Sequence, residues 1–232
     1  MNVFLAKIFL LASVLMSCTY NQYGHKEERV GQIYGIDLSH HQGKIDWSKV
    51  REVNGHEISF VFIKATEGAT YQDPLYKTNF TQAKSNGLKV GSYHYFRTTS
   101  SVADQLANFK RSVNKADQLL IPMIDIEEND NLSTEEFNAH LLKFLKGIEQ
   151  YYHCKPILYS TQRFYNTHLK EKYLDYHWMI GRFSKQKPVL QDSNKWTIWQ
   201  YSDKGQVDGI DKAVDLDVLR FGIKIDVLTL KK

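Results

Sequence analysis

Cysteine is all but missing from this chain of 232 residues, which contains only Cys18 and Cys154. If Cys18 is consumed by lipid, Cys154 has no partner and no disulfide framework can exist, and no metal-ligand or redox spacing surrounds Cys154. Charge is also sparse in net terms: 30 Lys and Arg against 26 Asp and Glu leave +4. With no concentrated basic run, a nucleic-acid groove is not supported. Long apolar stretches are absent too, since the best of them, residues 8–16, is too short for the ~20 residues of a spanning helix. Proline occurs only 4 times, and beyond residue 30 there is no Pro/Gly-rich linker, repeat or low-complexity tract. Residues 31–232 therefore read as one domain, long enough to bury a sizeable core. What the chain has in quantity is aromatic residues, 14 Tyr and 12 Phe, a supply suited to aromatic-lined surfaces.

The first thirty residues read separately. Lys7 followed by the apolar run 8–16 has the layout of an export signal, and it ends in Leu15-Met16-Ser17-Cys18. A small residue directly before a Cys at that place resembles a bacterial lipobox, in which the Cys is acylated and becomes the mature N-terminus. Residues 1–18 are thus expected to be a signal peptide with lipobox, and residues 19–30, polar and without periodicity, a tether. A conventional cleaved signal and a secreted protein are the alternative. With Cys18 lipidated, Cys154 is left as a packed or idle thiol.

Eight runs of apolar, β-branched or aromatic residues read as strands: 32–38, 59–65, 89–96, 119–127, 156–160, 177–183, 197–201 and 213–219. Several are apolar on both faces, as parallel strands between helices and a core should be. Helical patterns fall between the first six: 47–53, 74–85, 102–116, 135–152 and 163–169. The fourth is the clearest, because Ser133 and Glu136 form a capping-box pattern ahead of Phe137, Leu141, Phe144, Leu145 and Ile148. Helix signals fade after residue 169. The fold class expected is α/β, an irregular TIM-like barrel of five β/α units followed by three strands, with chemistry at the C-terminal ends of the strands.

Residues 121–128 read Ile-Pro-Met-Ile-Asp-Ile-Glu-Glu, a strand in which Asp125 and Glu127 share a face because strand side chains alternate with a period of two. Two crowded carboxyls at the end of a buried strand cannot both ionise freely, and a pair with divided pKa values is the equipment of a glycosidase. Asp37 closes the first strand and faces the same mouth. Asp215 lies in the last strand, which meets the first when the barrel closes; Asp211 and Asp217 are its rivals. His40, His41 and His94 lack the i, i+4 spacing of helical metal ligands.

The pieces Gly35-Ile36-Asp37-Leu38-Ser39 with Gln42-Gly43, Ile63-Lys64-Ala65-Thr66-Glu67-Gly68, Gly91-Ser92-Tyr93-His94-Tyr95, Asp125-Ile126-Glu127, Tyr159-Ser160, Trp199-Gln200-Tyr201 and Val214-Asp215-Leu216-Asp217 occur in this order across residues 31–219. In them the chain resembles the family 25 glycoside hydrolases, the Chalaropsis-type lysozymes. The resemblance implies a barrel of five β/α units plus three strands, and hydrolysis of the β-1,4 bond between N-acetylmuramic acid and N-acetylglucosamine in peptidoglycan. It makes Glu127 the general acid and Asp125 its partner, assisting through the substrate's acetamido group or by stabilising positive charge. Asp37 and Asp215 become the other two carboxylates of the cleft. Tyr93, Tyr159, Trp199, Gln200 and Tyr201 are candidate sugar contacts, and Lys64 with Glu67 a candidate ion pair beside them. No metal or cofactor is implied. The expected partners are glycan strands and, through Cys18, a membrane; the expected state is an exported monomer. A chitinase-like hydrolase and a catalytically silent wall-binding lipoprotein are the competing readings. The first typically carries a longer series of alternating acids, where this strand has Ile121 and Met123.

Overall fold

The computed structural model describes residues 31–231. Cys18, the signal segment and the tether of residues 19–30 lie outside these residues. Strands β1 (Tyr34–Leu38), β3 (His56–Glu67), β5 (Lys89–Tyr95), β6 (Met123–Asp125), β7 (Ile157–Thr161), β8 (His177–Gly181), β9 (Ile198–Val207) and β10 (Ile210–Leu219) form a closed barrel. The order around it is β1-β10-β9-β8-β7-β6-β5-β3, and β1 pairs with β3 to close the ring. Two short strands, β2 (Glu52–Val53) and β4 (Tyr71–Gln72), pair antiparallel with the two ends of β3. All barrel neighbours run parallel except β10, which is antiparallel to both β1 and β9.

Three helices cover the wall: α1 (Tyr76–Ser85), α2 (Val102–Ser112) and α3 (Thr134–Tyr152). The capping box expected at Ser133 is present, each partner bonding the other's backbone N–H, and Phe137, Leu141, Phe144, Leu145 and Ile148 are buried. The segment after β7 is irregular, a short α-turn running into π-helical turns over Tyr165–Leu169.

The helix expected at 47–53 does not form. Trp47, Val50 and Val53 are buried, so their apolar spacing marks packing under the barrel, but the segment is turns followed by β2. The first strand is therefore joined to β3 through a single 3-10 turn over His40–Gln42 and no α-helix, and the barrel does not open on a regular β/α unit. The strand expected at 119–127 is regular only over Met123–Asp125. Leu120 instead bridges to Thr229, and Glu127 lies just beyond β6.

Inside the barrel, aromatic rings take the space that two glycines leave. A Cβ on Gly35 would stand 2.4 Å from the ring of Phe60, and one on Gly91 2.4 Å from the ring of Phe62. Both phenylalanines are fully buried and their rings pack edge to face at 6.0 Å. Neither ring has a free volume to swing into. Gly35→Ala is accordingly expected to destabilise the domain by about 1–3 kcal/mol through overpacking. Urea unfolding checks this, and the double variant Gly35→Ala/Phe60→Leu should be less destabilised than the sum of its two singles.

Candidate active site

Barrel closure decides which acids meet. Asp37, near the C-terminal end of β1, lies directly opposite Asp215 of β10. Tyr95 of β5 aligns with Asp125 of β6, which aligns in turn with Tyr159 of β7. The backbone next to the acidic pair is clamped from both sides. Phe96 N–H donates to Asp125 O (2.9 Å), Ile126 N–H donates to Tyr159 O (2.9 Å), and Ser160 Oγ donates to Ile126 O (2.7 Å). Asp125 and Glu127 thus project into one mouth from a fixed stretch of chain.

A relay of neutral groups holds Asp37. The Tyr159 hydroxyl donates to Gln200 Oε1 (2.7 Å), and Gln200 Nε2 donates to Asp37 Oδ2 (2.7 Å). Gly181 makes room for this relay, since a Cβ there would lie 2.6 Å from the Tyr159 hydroxyl and 3.1 Å from Gln200 Oε1. Of the expected sugar contacts, Tyr93, Tyr159 and Gln200 are therefore in the acid ring, Tyr93 being buried and within electrostatic reach of Asp37 and Asp125. Trp199 and Tyr201 stand on the opposite face of β9 from Gln200. There Trp199 donates its indole N–H to Arg182 O (2.8 Å) and packs against Tyr201 at 5.8 Å. The structure does not bring these two rings to the acids.

The expected Lys64–Glu67 pair is present at 2.7 Å, and it belongs to a larger network. Glu67 also meets Arg97 at 2.8 Å, and Arg97 meets Glu128. Lys64, only 9% exposed, lies 5.0 Å from the centre of the Tyr95 ring, and Arg97 lies 4.5 Å from it. Neither Arg97 nor Tyr95 was legible as a site residue from the sequence, because their position follows from the pairing of β5 with β3. His40 bonds Asp73 at 3.0 Å and the Tyr71 hydroxyl at 2.9 Å. His94 is buried between Thr66 (2.7 Å) and Gln105 (3.2 Å), and burial lowers its pKa to about 4. Among the described residues no group of three or more His, Cys, Asp or Glu is arranged to hold a metal ion.

The acids are crowded and poorly solvated. Burial, then the charge of Glu127, holds Asp125 well above the usual carboxylate range. Its Oδ1 receives no hydrogen bond. Glu127 is nearer the surface and is raised by burial, with the interaction with Asp125, and then Lys64 and Arg97, pulling the other way. Each carboxyl lies within hydrogen-bonding reach of the other, an arrangement that favours one of the two being protonated. Burial and then Asp215 raise Asp37, against which the Gln200 amide works. Asp215 is raised to about 6 by burial, then by Asp203 and Glu127. Of its two rivals, Asp211 is exposed in the β9–β10 hairpin, whereas Asp217 is fully buried one step below Asp215. Such a ring can hold protons near neutrality and can face a developing positive charge with carboxylates. A separate concavity of about 750 Å³, lined by Lys77, Lys110, Arg111, Lys115 and Tyr151 among others, includes none of these acids.

Known proteins give this geometry its family. A protein of Escherichia coli strain K12, YegX, itself uncharacterized, is 38% identical over 188 residues, which are 80% of this chain and 69% of that protein. The autolytic lysozyme of Clostridium acetobutylicum is 32% identical over 196 residues, 82% of this chain and 57% of that enzyme. A family 25 glycosyl hydrolase from Bacillus anthracis superposes with a TM-score of 0.75 at 33% identity, covering 84% of this chain and 91% of that one. The model of the glycosyl hydrolases family 25 matches residues 36–210, a span that holds Asp37, Asp125 and Glu127 and stops just short of Asp215. By its sequence and its barrel alike, the chain is a glycoside hydrolase and belongs to family 25.

Proposed function

We propose that this protein is a muramidase that hydrolyses the β-1,4 bond between N-acetylmuramic acid and N-acetylglucosamine in peptidoglycan. The observation that carries the reading is the Asp125–Glu127 pair, two neighbouring, poorly solvated carboxyls with raised pKa values at the mouth of a family 25 barrel. The relative named as an autolytic lysozyme supports the substrate class.

Glu127, the less buried of the pair, delivers the proton to the leaving glycosidic oxygen. Departure of that proton leaves both carboxyls ionised just as positive charge develops at the anomeric carbon, so the mutual repulsion of the pair is offset by the cation in front of it. The acetamido oxygen of the muramic residue then closes on the anomeric carbon to give an oxazolinium ion, with Asp125 facing its N–H. Water opens this ion and returns a proton to Glu127. Asp37 and Asp215 position the water and the sugar, and Tyr93, Tyr159, Gln200 and the Lys64–Glu67 pair line the cleft. Trp199 and Tyr201 are assigned to an outer subsite at most, given the face they occupy. The protein is further proposed to act as an exported, monomeric lipoprotein anchored through Cys18, with residues 19–30 as its tether.

Glu127→Gln keeps the shape and removes the proton, and should cut release of muropeptides from purified walls by about 10²- to 10⁴-fold. Because the donor must be protonated and its pKa is raised, parent activity should fall as pH rises through that value. Turnover of the variant within a few-fold of the parent makes Glu127 the wrong acid, and an inactive parent favours a silent glycan receptor.

Asp125→Asn is expected to depress kcat more than it alters KM, since the lost charge acts on the intermediate. Glycan lacking the acetyl group on the cleaved muramic residue should be nearly inert. Equal cleavage of the acetylated and deacetylated strands rules out assistance by the acetamido group.

Cys18→Ala should move the protein from the membrane to the soluble fraction with the hydrolase intact. Each buried methylene of an acyl chain contributes about 0.8 kcal/mol of membrane affinity, and among the described residues no helix is long and apolar enough to cross a membrane. Mass spectrometry of the parent without lipid, or a variant still in the pellet, overturns the anchor.

A further inference from the structure

Asp217 has no part in the chemistry above, yet its surroundings are those of a functional acid. It is 0% exposed, and neither of its carboxyl oxygens receives a hydrogen bond from an N–H or O–H donor of another residue among the described residues. An ionised carboxylate in that position would be stripped of water with nothing in exchange, which is among the least favourable states a side chain can take. A carboxylic acid avoids the problem by supplying its own donor.

The register shows where that donor points. Asp217 lies opposite Gly35 of β1 and opposite Gln200 of β9, so the three share the interior face of the barrel with Asp37 and Asp215, two residues along their respective strands. Gly35 has no side chain to intervene, and β3 presents the ring of Phe60 across it. The titratable groups facing Asp217 are Asp37 on β1 and Asp215 on its own strand; β9 faces it with the neutral amide of Gln200. No cation is among them. Asp37 is the group in hydrogen-bonding reach, and its other support is the Gln200 amide at 2.7 Å.

We propose that Asp217 is a positioning residue that works as a neutral carboxylic acid, donating its O–H to the carboxylate of Asp37 so that Asp37, held on its other side by Gln200, stays ionised and fixed in the ring. Burial and the charges of Asp37 and Asp215 hold the carboxyl of Asp217 far above its usual range, in agreement with this role. One proton stored below the ring thus fixes which of the upper acids carries charge. The inference rests on the muramidase reading only for its activity arm.

The test compares Asp217→Asn with Asp217→Leu in the full protein. Asparagine keeps a donor to Asp37 without the proton, and leucine removes the donor. Infrared difference spectra of parent and Asp217→Asn at neutral pH should show one more protonated carboxylic C=O band in the parent than in the variant. The folding stability of the parent carries a further signature. A raised folded pKa stabilises fully below the unfolded value and loses that contribution as pH rises, so the parent should lose stability relative to Asp217→Asn over about pH 4 to 8. On walls, Asp217→Leu should lower kcat by about 10- to 100-fold, as expected for losing a hydrogen bond to a charged group, with a smaller change in KM. Asp217→Asn should recover most of that loss. Absence of the band, together with parallel stability–pH curves, overturns the proposal even if Asp217→Leu does not fold. A parent that digests no wall defeats the muramidase reading and leaves the spectroscopic and stability arms to decide on Asp217.

Discussion

The antiparallel seam between β1 and β10 is the constraint on which the site depends. It sets Asp37 against Asp215 and Gly35 against Asp217, and through β9 it delivers the Gln200 amide to Asp37. In a regular β/α barrel each strand adds one residue to the mouth at its C-terminal end. Here the last strand runs the other way, and it supplies acids from its interior instead. The departure from the regular pattern brings Asp215 into the cleft and sets Asp217 beneath it, where the seven parallel strands alone would supply neither.

The acid ring is favourable for chemistry and unfavourable for stability. Asp37, Asp125, Asp215, Asp217 and Glu127 all have carboxyl pKa values raised chiefly by burial. Each such group stabilises the fold fully only below its unfolded pKa and loses that contribution as pH rises through the folded one. At neutral pH the barrel therefore holds these acids against their own preference. The opposing contributions are the phenylalanine-filled interior, the Lys64–Glu67–Arg97–Glu128 network at the rim and the clamped backbone around Ile126.

The parts of this arrangement that are local in sequence were legible there. The helix at Thr134–Tyr152 is specified by its own capping box and apolar spacing, and the same-face placement of Asp125 and Glu127 follows from strand alternation. Asp37 and Asp215 could be set at one mouth because first and last strands of a barrel must meet. Elsewhere local signals misled. Trp47 and Val50 imitate a helical stripe while packing as a loop, and Asp203, Lys204 and Gln206 hide the outer half of the long β9 hairpin arm. Register is not written in any short stretch, so the roles of Gly181 and Arg97, and the burial of Asp217 beneath Asp215, emerge only when distant strands are paired. The opposite facing of Trp199 and Gln200 was implicit in the same alternation that placed the two acids.

The Gln200–Asp37 hydrogen bond joins residues 163 positions apart in the chain. Closing contacts of such sequence separation costs chain entropy and slows folding. An N-terminal fragment ending before β10 contains Asp37, Asp125 and Glu127 but no closed seam, and hence no ring in which their protons are held. A nascent or half-unfolded chain is then a poor hydrolase however complete its list of acids. The wall-cutting competence proposed for this enzyme therefore depends on the docking of its last hairpin.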